Sequence, residues 1–190
     1  MIRDLIIKNR SYRRFNQSVK MDSDIIKKWI ELARFSASGR NMQSLKYIVC
    51  TEEHVVDKIF PHLGWAGYLP DWEGPEKGEQ PAAYIVMIHD INIAQNFYCD
   101  DGIAVQSILL GAVEDGFGGC IIGTVNKSKV AKIIGLPHNM EILWVVALGK
   151  PAEESVLEEV KDGDIKYWRD ENGIHHVPKR PLDEIILKNI

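Results

Sequence analysis

The sequence predicts an α+β fold, in which buried strands form a sheet and helices pack around it. Two apolar runs, at residues 82–89 and 142–148, are almost unbroken, which is typical of strands covered on both faces. Segments with apolar residues at helical spacing stand before and between these runs. An Asn-Gly pair at residues 172–173 separates two strand-like stretches, 165–169 and 174–177, and predicts a β-hairpin.

The composition is that of an ordinary globular protein. At 190 residues and 45% apolar content, we expect one compact domain spanning residues 1–190. Twenty-seven acidic and 23 basic residues give a net charge of −4, so no general attraction to nucleic acid or to an anionic membrane is expected. The chain has no signal-like N-terminal stretch and no run near the ~20 apolar residues that span a bilayer. A soluble, cytoplasmic protein is therefore predicted.

Three cysteines, Cys50, Cys99 and Cys120, are an odd number without metal-ligand spacing, and each lies in or beside an apolar run. We expect buried free thiols in a reducing compartment, with neither a disulfide nor a reactive nucleophile among them. No metal site is predicted.

The first half of the chain predicts two helices, a strand and a short third helix. Apolar residues at helical spacing place a short helix just before Arg10. The Asp-Ser-Asp segment at residues 22–24 is predicted to supply the cap and the first-turn acids of the second helix. A strand follows at residues 45–50 and a helix at 52–60. The apolar stripe of the second helix consists of Ile25, Ile26, Trp29, Ile30, Leu32 and Ala33.

Residues 61–81 follow no regular pattern, because Trp65, Tyr68 and Trp72 alternate with glycines and prolines. A loop of this length is usually functional or mobile. Two interpretations remain open: a lid over a flat ligand, and aromatic anchors for an irregular surface loop.

The second half contains a helix ending near Asp115, which begins at about residue 93 or 101 and is apolar almost all round. Such a helix needs cover on most sides, and this favours a subunit interface. We expect a strand within residues 116–125 and a helix at 126–134 that Gly135 closes. A last helix is predicted near Pro181.

Two polar segments predict a site for a flat, phosphorylated cofactor. In residues 10–15, Arg10 and Arg13 offer planar donor forks that match phosphate oxygens. In residues 38–43, the amides of Asn41 and Gln43 both donate and accept, as the edge of a heterocycle requires. The alternatives are a solvated basic cluster and an ordinary turn.

These segments, in this order, resemble the nitroreductase family of FMN-dependent oxidoreductases. The resemblance extends from about residue 2 to about residue 187 and includes residues 101–123, 147–151 and 179–184. Asn9, Ala37 and Ser44 depart from the family's motifs, which have arginine, proline and proline there.

The resemblance implies a three-layer sandwich with a central, mainly antiparallel sheet, assembled as an intertwined homodimer that shares two FMN sites. Arg10, Ser11 and the pair Lys179 and Arg180 would hold the phosphate, and Arg13 would stabilise the reduced ring. The loop at residues 38–43 would come from the second subunit. The full set of implied cofactor-binding residues is Arg10, Ser11, Arg13, Ser38, Gly39, Asn41, Gln43, Ile121, Ile122, Gly123, Lys179 and Arg180.

The implied activity is a ping-pong reaction in which hydride passes from NADH or NADPH to FMN and then to an electron-poor acceptor, such as a nitroaromatic or a quinone. No side chain need act as acid or base, because the flavin carries the chemistry. The alternatives are a non-catalytic flavin-binding sensor or carrier, and a specialised family activity such as flavin fragmentation or dehalogenation. His175 and His176 form the only histidine cluster, and no function is predicted for them.

Overall fold

The computed structural model describes residues 1–190. Six α-helices are present: α1 Ile2–Lys8, α2 Ser23–Phe35, α3 Glu53–Ile59, α4 Asp100–Glu114, α5 Lys127–Ile134 and α6 Leu182–Ile185. Seven strands are present: β1 Leu45–Cys50, β2 Ala83–Asp90, β3 Gly118–Ile122, β4 Met140–Gly149, β5 Ser155–Glu159, β6 Trp168–Arg169 and β7 His175–Lys179. Two short 3-10 turns cover Gly39–Asn41 and Phe60–His62.

The central sheet has four strands in the order β1-β2-β4-β3, and all three pairings are antiparallel. Every residue of β2 is buried, as its unbroken apolar run predicted. One bulge between Met87 and Ile88 shifts the register of β2 against β4.

Helices cover both faces of this sheet, because alternate residues of β2 point in opposite directions. Ile85 and Met87 pack in one apolar cluster with residues of α2 and α4. Tyr84 and Val86 pack in a second cluster with residues of α3 and α5. The predicted three-layer α+β sandwich is therefore confirmed.

Helix α2 begins where the sequence predicts, since the Asp22 carboxylate accepts a hydrogen bond from the Asp24 amide at 2.9 Å. Its stripe is narrower than predicted, because Leu32 is exposed. Helix α4 begins at Asp100 and packs one face on α2 and the sheet. Its opposite face, with Ile103 and Gln106, is exposed in the single chain.

A second, three-stranded sheet has the order β5-β7-β6. The predicted hairpin is confirmed, because Trp168 in β6 lies opposite His176 in β7 in an antiparallel pair. Strand β5 and its parallel pairing with β7 were not predicted. Strand β5 is only five residues long and ends in two glutamates, so it lacks an apolar run that would identify it.

The cysteines are all free, but they are not all buried. Cys50 and Cys120 are buried, and burial raises the pKa of the Cys50 thiol to about 11. Cys99 is exposed at the N-cap position of α4, so the prediction of burial is wrong for this residue. None of the helices combines the length and the apolar character needed to cross a membrane.

Candidate functional site

A cleft of about 350 Å³ lies between the segment after α1, helix α4, strand β3 and strand β7. Five residues predicted from the sequence line it: Arg10, Ser11, Arg13, Ile121 and Lys179. Two further lining residues, Tyr167 and His175, were not predicted. The fold therefore joins the N-terminal cationic segment to the second sheet.

Arg10 lines this cleft, and one of its side-chain donors has no hydrogen-bond partner. Its Nη2 donates to the carbonyl oxygen of Ile6 at 2.7 Å, which holds the side chain against the end of α1. Its Nε is buried and has no hydrogen-bond partner. Burial lowers the pKa of Arg10, since charge is costly away from water. An anion bound in the cleft would offset this charge.

Ser11 is fixed beside strand β3. It forms a parallel bridge with Gly119, and the Tyr12 amide donates to the Gly119 carbonyl oxygen at 3.1 Å. A Cβ atom on Gly119 would lie 2.4 Å from the carbonyl oxygen of Ala147, so only glycine fits there. The backbone at Ser11 can therefore approach β3 closely, and both Ser11 and Gly119 line the cleft.

Arg13 is 9% exposed and is held from three sides. Its Nη1 contacts the Ser11 carbonyl oxygen at 3.3 Å and Nε2 of His175 at 3.2 Å. Its guanidinium carbon lies 4.8 Å from the centre of the Tyr167 ring, in a cation–π arrangement. Because a guanidinium only donates, His175 Nε2 must accept.

His175 is consequently a neutral imidazole that carries its proton on Nδ1. Burial, with the charges of Arg13 and Arg169 adding to it, lowers the pKa of His175 to about 4. Its Nδ1 is buried and has no hydrogen-bond partner. Two residues that line the cleft thus have a buried nitrogen without a hydrogen-bond partner, Arg10 Nε and His175 Nδ1.

Glu153 accepts hydrogen bonds from the backbone of the cationic segment at residues 10–15. Its side chain is 1% exposed, and its Oε1 accepts the backbone amides of Arg13 at 2.5 Å and Arg14 at 3.1 Å. Its Oε2 accepts from Arg169 Nη2 at 2.9 Å. One buried carboxylate thus ties the cationic segment to the second sheet, a role that no sequence spacing reveals.

A second cavity of about 360 Å³ adjoins the cleft and shares Arg13, Ile121 and Tyr167 with it. Ile122 and Gly123, both predicted site residues, line this cavity together with the loop residues 64–67. Arg13 and Tyr167 therefore stand at the boundary between a cationic compartment and a more apolar one.

The loop at residues 61–81 contributes to the second cavity and is also anchored to the second sheet. The rings of Tyr68 and Tyr167 are 4.9 Å apart, and the Tyr68 amide donates to the Tyr167 hydroxyl at 3.3 Å. The Trp72 ring lies 4.5 Å from the guanidinium carbon of Arg169. The contacts of Tyr68 and Trp72 agree with the interpretation of aromatic anchors, and the lid over a flat ligand stays a prediction.

The amide loop at residues 38–43 lies away from the cleft. Ser38 and Gln43 line a different pocket of about 210 Å³, beside Asp100. Arg40, Asn41 and Gln43 have positive φ angles of 54°, 55° and 52°. The left-handed conformation costs roughly 1–2 kcal/mol for most residues, so the loop is held in a demanding shape. Within one chain, the structure does not bring Gly39 or the two amides to the cationic cleft.

The two C-terminal cations differ in position. Lys179 lines the cleft and makes no ion pair. Arg180 lies outside the cleft, and its Nη1 donates to Glu184 at 2.9 Å. Only Lys179 is therefore placed with Arg10 and Arg13.

This arrangement suits a flat, anionic cofactor. The cleft is lined by three cationic side chains, Arg10, Arg13 and Lys179, and a cavity of about 360 Å³ adjoins it.

Comparison with known proteins identifies the family. The model described as "Nitroreductase family" matches residues 6–150, and the chain belongs to this family of oxidoreductases. A protein of Archaeoglobus fulgidus, provisionally named NADH dehydrogenase/NAD(P)H nitroreductase, is 26% identical over 166 residues, which are 83% of this chain and 90% of that protein.

Solved structures show the same fold. A nitroreductase family protein from Clostridium novyi superimposes with a TM-score of 0.67 at 22% identity, over 94% of each chain. An FMN-dependent nitroreductase from Clostridium difficile gives a TM-score of 0.67 at 19% identity, over 90% of this chain and 99% of that one.

Proposed function

We propose that the protein is an FMN-dependent oxidoreductase that takes reducing equivalents from NADH or NADPH and passes them to an electron-poor small molecule, such as a nitroaromatic or a quinone. The observation that carries the proposal is the cationic cleft with its unsatisfied donor, Arg10 Nε. The A. fulgidus relative is named for NAD(P)H, and the C. difficile neighbour is described as FMN-dependent. Bound FMN would supply the hydride chemistry.

The residues of the cleft have distinct proposed tasks. Arg10, Ser11 and Lys179 would hold the phosphate, because they line the cleft and offer donors to it. Arg13 would lie beside the ring, where a cation favours the negative charge of the reduced form. Ile121, Ile122 and Gly123 would pass along the ring, since they continue from the cleft into the second cavity.

We propose that residues 1–190 act as a single FMN-binding domain within a homodimer. The amide loop at residues 38–43 is held by hydrogen bonds to Asp100, yet Asn41 and Gln43 are exposed and do not line the cleft of their own chain. Strained, outward-facing polar groups are typical of functional sites. In the dimer these residues, with Ser38 and Gly39, would complete the site of the partner subunit.

The second cavity is the proposed acceptor site. Its wall is formed by the glycine-rich stretch of the loop, from Gly64 to Gly67, with Trp65 between them. An aromatic wall beside a flat cofactor suits a planar acceptor. No side chain at this cavity is assigned as an acid or a base.

Anaerobic mixing of the FMN-loaded protein with NADH and NADPH separately tests this function. Bleaching of the flavin absorbance within seconds, followed by reoxidation on addition of a quinone or a nitroaromatic, supports the enzyme. An oxidised flavin that stays stable with both nucleotides would contradict it and favour the alternative of a sensor or carrier.

A further inference from the structure

His175 occupies a place in the cleft that a purely structural histidine would not need. It lies on β7, is 2% exposed and contacts Arg13 Nη1 through Nε2 at 3.2 Å. The centre of the Tyr167 ring lies 5.1 Å from the centre of the imidazole and 4.8 Å from the guanidinium carbon of Arg13. The three side chains therefore pack against one another.

We propose that His175 is a positioning residue, which accepts a hydrogen bond from Arg13 and thereby aims the guanidinium at the flavin. The proposal rests on the proposed function. It goes beyond that function by assigning a role to His175, for which the sequence motifs predict none. Without this acceptor, Arg13 Nη1 would keep only the longer contact to the Ser11 carbonyl oxygen, at 3.3 Å.

The surroundings of His175 keep the imidazole neutral. Arg13, Arg169 and His176 all oppose a positive charge there, and burial adds to their effect. Glu153, the buried carboxylate nearby, is already occupied by two backbone amides and by Arg169. Protonation would remove the acceptor and place a second cation against Arg13. The imidazole therefore stays an acceptor across the neutral range.

The Nδ1 of His175 is buried and has no hydrogen-bond partner within the chain. A buried donor without a partner is destabilising in a folded protein. His175 lines the same cleft as Arg10, whose Nε is also buried and unpartnered. The neighbouring His176 lies outside the cleft: its Nδ1 contacts Glu158 at 2.6 Å, its Nε2 is 3.5 Å from Asp170, and its ring stacks on Trp168 at 4.0 Å.

The first test needs no flavin. In the full-length protein, nitrogen NMR of the imidazoles between pH 5 and 8 should show His175 as the Nδ1–H tautomer, without titration in that range. A His175 that titrates near pH 6.5, or that carries its proton on Nε2, would overturn the proposal. Because the measurement is made on the flavin-free chain, it judges the pairing even if FMN does not bind.

The second test compares His175→Leu, His175→Gln and the control His176→Gln. His175→Leu should weaken FMN binding about tenfold and lower the flavin midpoint potential, since Arg13 loses its acceptor. His175→Gln should remain near wild type, because its amide oxygen can accept from Arg13. His176→Gln should leave affinity and potential unchanged.

Two results would overturn the positioning role. One is wild-type affinity and potential in His175→Leu. The other is an equal loss in His175→Leu and His175→Gln, which would mean that packing alone matters. A wild-type protein that binds no FMN would refute the proposed function instead, and the NMR result would then decide the Arg13 pairing by itself.

Discussion

The Asp100 carboxylate accepts the Ser38 hydroxyl at 2.6 Å, and its second oxygen accepts the Gly39 amide at 2.7 Å. Asp100 is 3% exposed and stands at the first turn of α4, a position that favours a negative charge. The Ser38 Oγ in turn accepts from the Gln43 amide at 3.0 Å. Helix α4 thus holds the loop in which Arg40, Asn41 and Gln43 are left-handed.

Asp100→Ala should therefore loosen the amide loop. We expect a loss of about 1–3 kcal/mol in the free energy of unfolding, because the Gly39 amide would lose its buried acceptor. FMN affinity should fall as well, since the loop is proposed to complete the partner's site. Urea unfolding and fluorescence titration with FMN measure the two effects.

Asp115→Ala is the matched control. Asp115 stands just past the other end of α4 and accepts from Trp29 Nε1 at 2.8 Å. Its removal should cost a similar amount of stability with FMN affinity unchanged. Equal losses of affinity in both variants would show that the amide loop has no special part in binding.

Replacing Lys179 should weaken flavin binding more than replacing Arg180. Lys179→Ala should weaken FMN affinity by ~1 kcal/mol, about fivefold, because an exposed lysine makes a screened contact. Arg180→Ala should change it less than twofold, since Arg180 is paired with Glu184 outside the cleft. Titration of both variants with FMN at low and high salt checks this. A larger loss in Arg180→Ala would contradict the placement of the cleft.

The pair of Arg14 and Glu79 should contribute to stability in a pH-dependent way. Arg14 Nε donates to Glu79 at 2.6 Å, and a second bond joins Arg14 Nη2 to the other carboxylate oxygen. The hydrogen bond from Arg14 lowers the pKa of Glu79 below its ordinary value of 4.5. The stabilisation is therefore present above pH 4.5 and is lost as the pH falls through the folded-state pKa.

Glu79→Gln should remove this part of the acid sensitivity. Both side chains are 30% exposed, so the expected loss at neutral pH is only ~0.5–1 kcal/mol. Urea unfolding at pH 7 and pH 3 measures this loss of stability. The control is Glu76→Gln, which changes an exposed glutamate nearby. If Glu79→Gln keeps the wild-type difference between the two pH values, the ion pair is not the source.

The protein should be a dimer in solution. Several large apolar side chains of four helices are exposed in the single chain, and a subunit interface would cover them. They are Ile2, Ile6 and Ile7 of α1, Phe35 of α2, Ile103 of α4, and Leu182 and Ile185 of α6. Permanent interfaces commonly bury roughly 2,000–5,000 Å².

Light scattering should give twice the 21.6 kDa mass of the chain, and Ile103→Glu should shift the equilibrium toward monomer. Because the amide loop is proposed to serve the partner's site, FMN affinity should fall together with the dimer. A stable wild-type monomer that still holds FMN would contradict the shared site.

The sequence predicted the central sheet well, because β2 is buried along its whole length, β4 is buried from Val145 to Gly149, and their apolar runs are distinctive. The hairpin was predicted by its Asn-Gly turn. Strand β5 was missed since its burial depends on pairing with β7, which is a tertiary property. The exposure of Cys99 likewise depends on where α4 begins.

Local motifs predicted Arg10, Ser11 and Arg13, and the structure does place these three in one cleft. Their supporting residues were out of reach of sequence reasoning. Glu153 and His175 lie 140 and 162 positions from Arg13, and only the fold brings them into contact with it. The difference between Lys179 and Arg180 also required the structure, because adjacent residues at a strand end point to different sides.

The most direct test of the cleft is the identity and affinity of its flavin, measured on wild type and on Arg10→Ala. Flavin released by heat from the wild-type protein, or rebound after reconstitution, should be FMN and not FAD. Arg10→Ala should bind FMN more weakly by about 1.5–3 kcal/mol while unfolding at the wild-type urea concentration, because it loses one charged hydrogen bond to phosphate. Release of FAD, no flavin after reconstitution, or wild-type FMN affinity in Arg10→Ala would contradict the account.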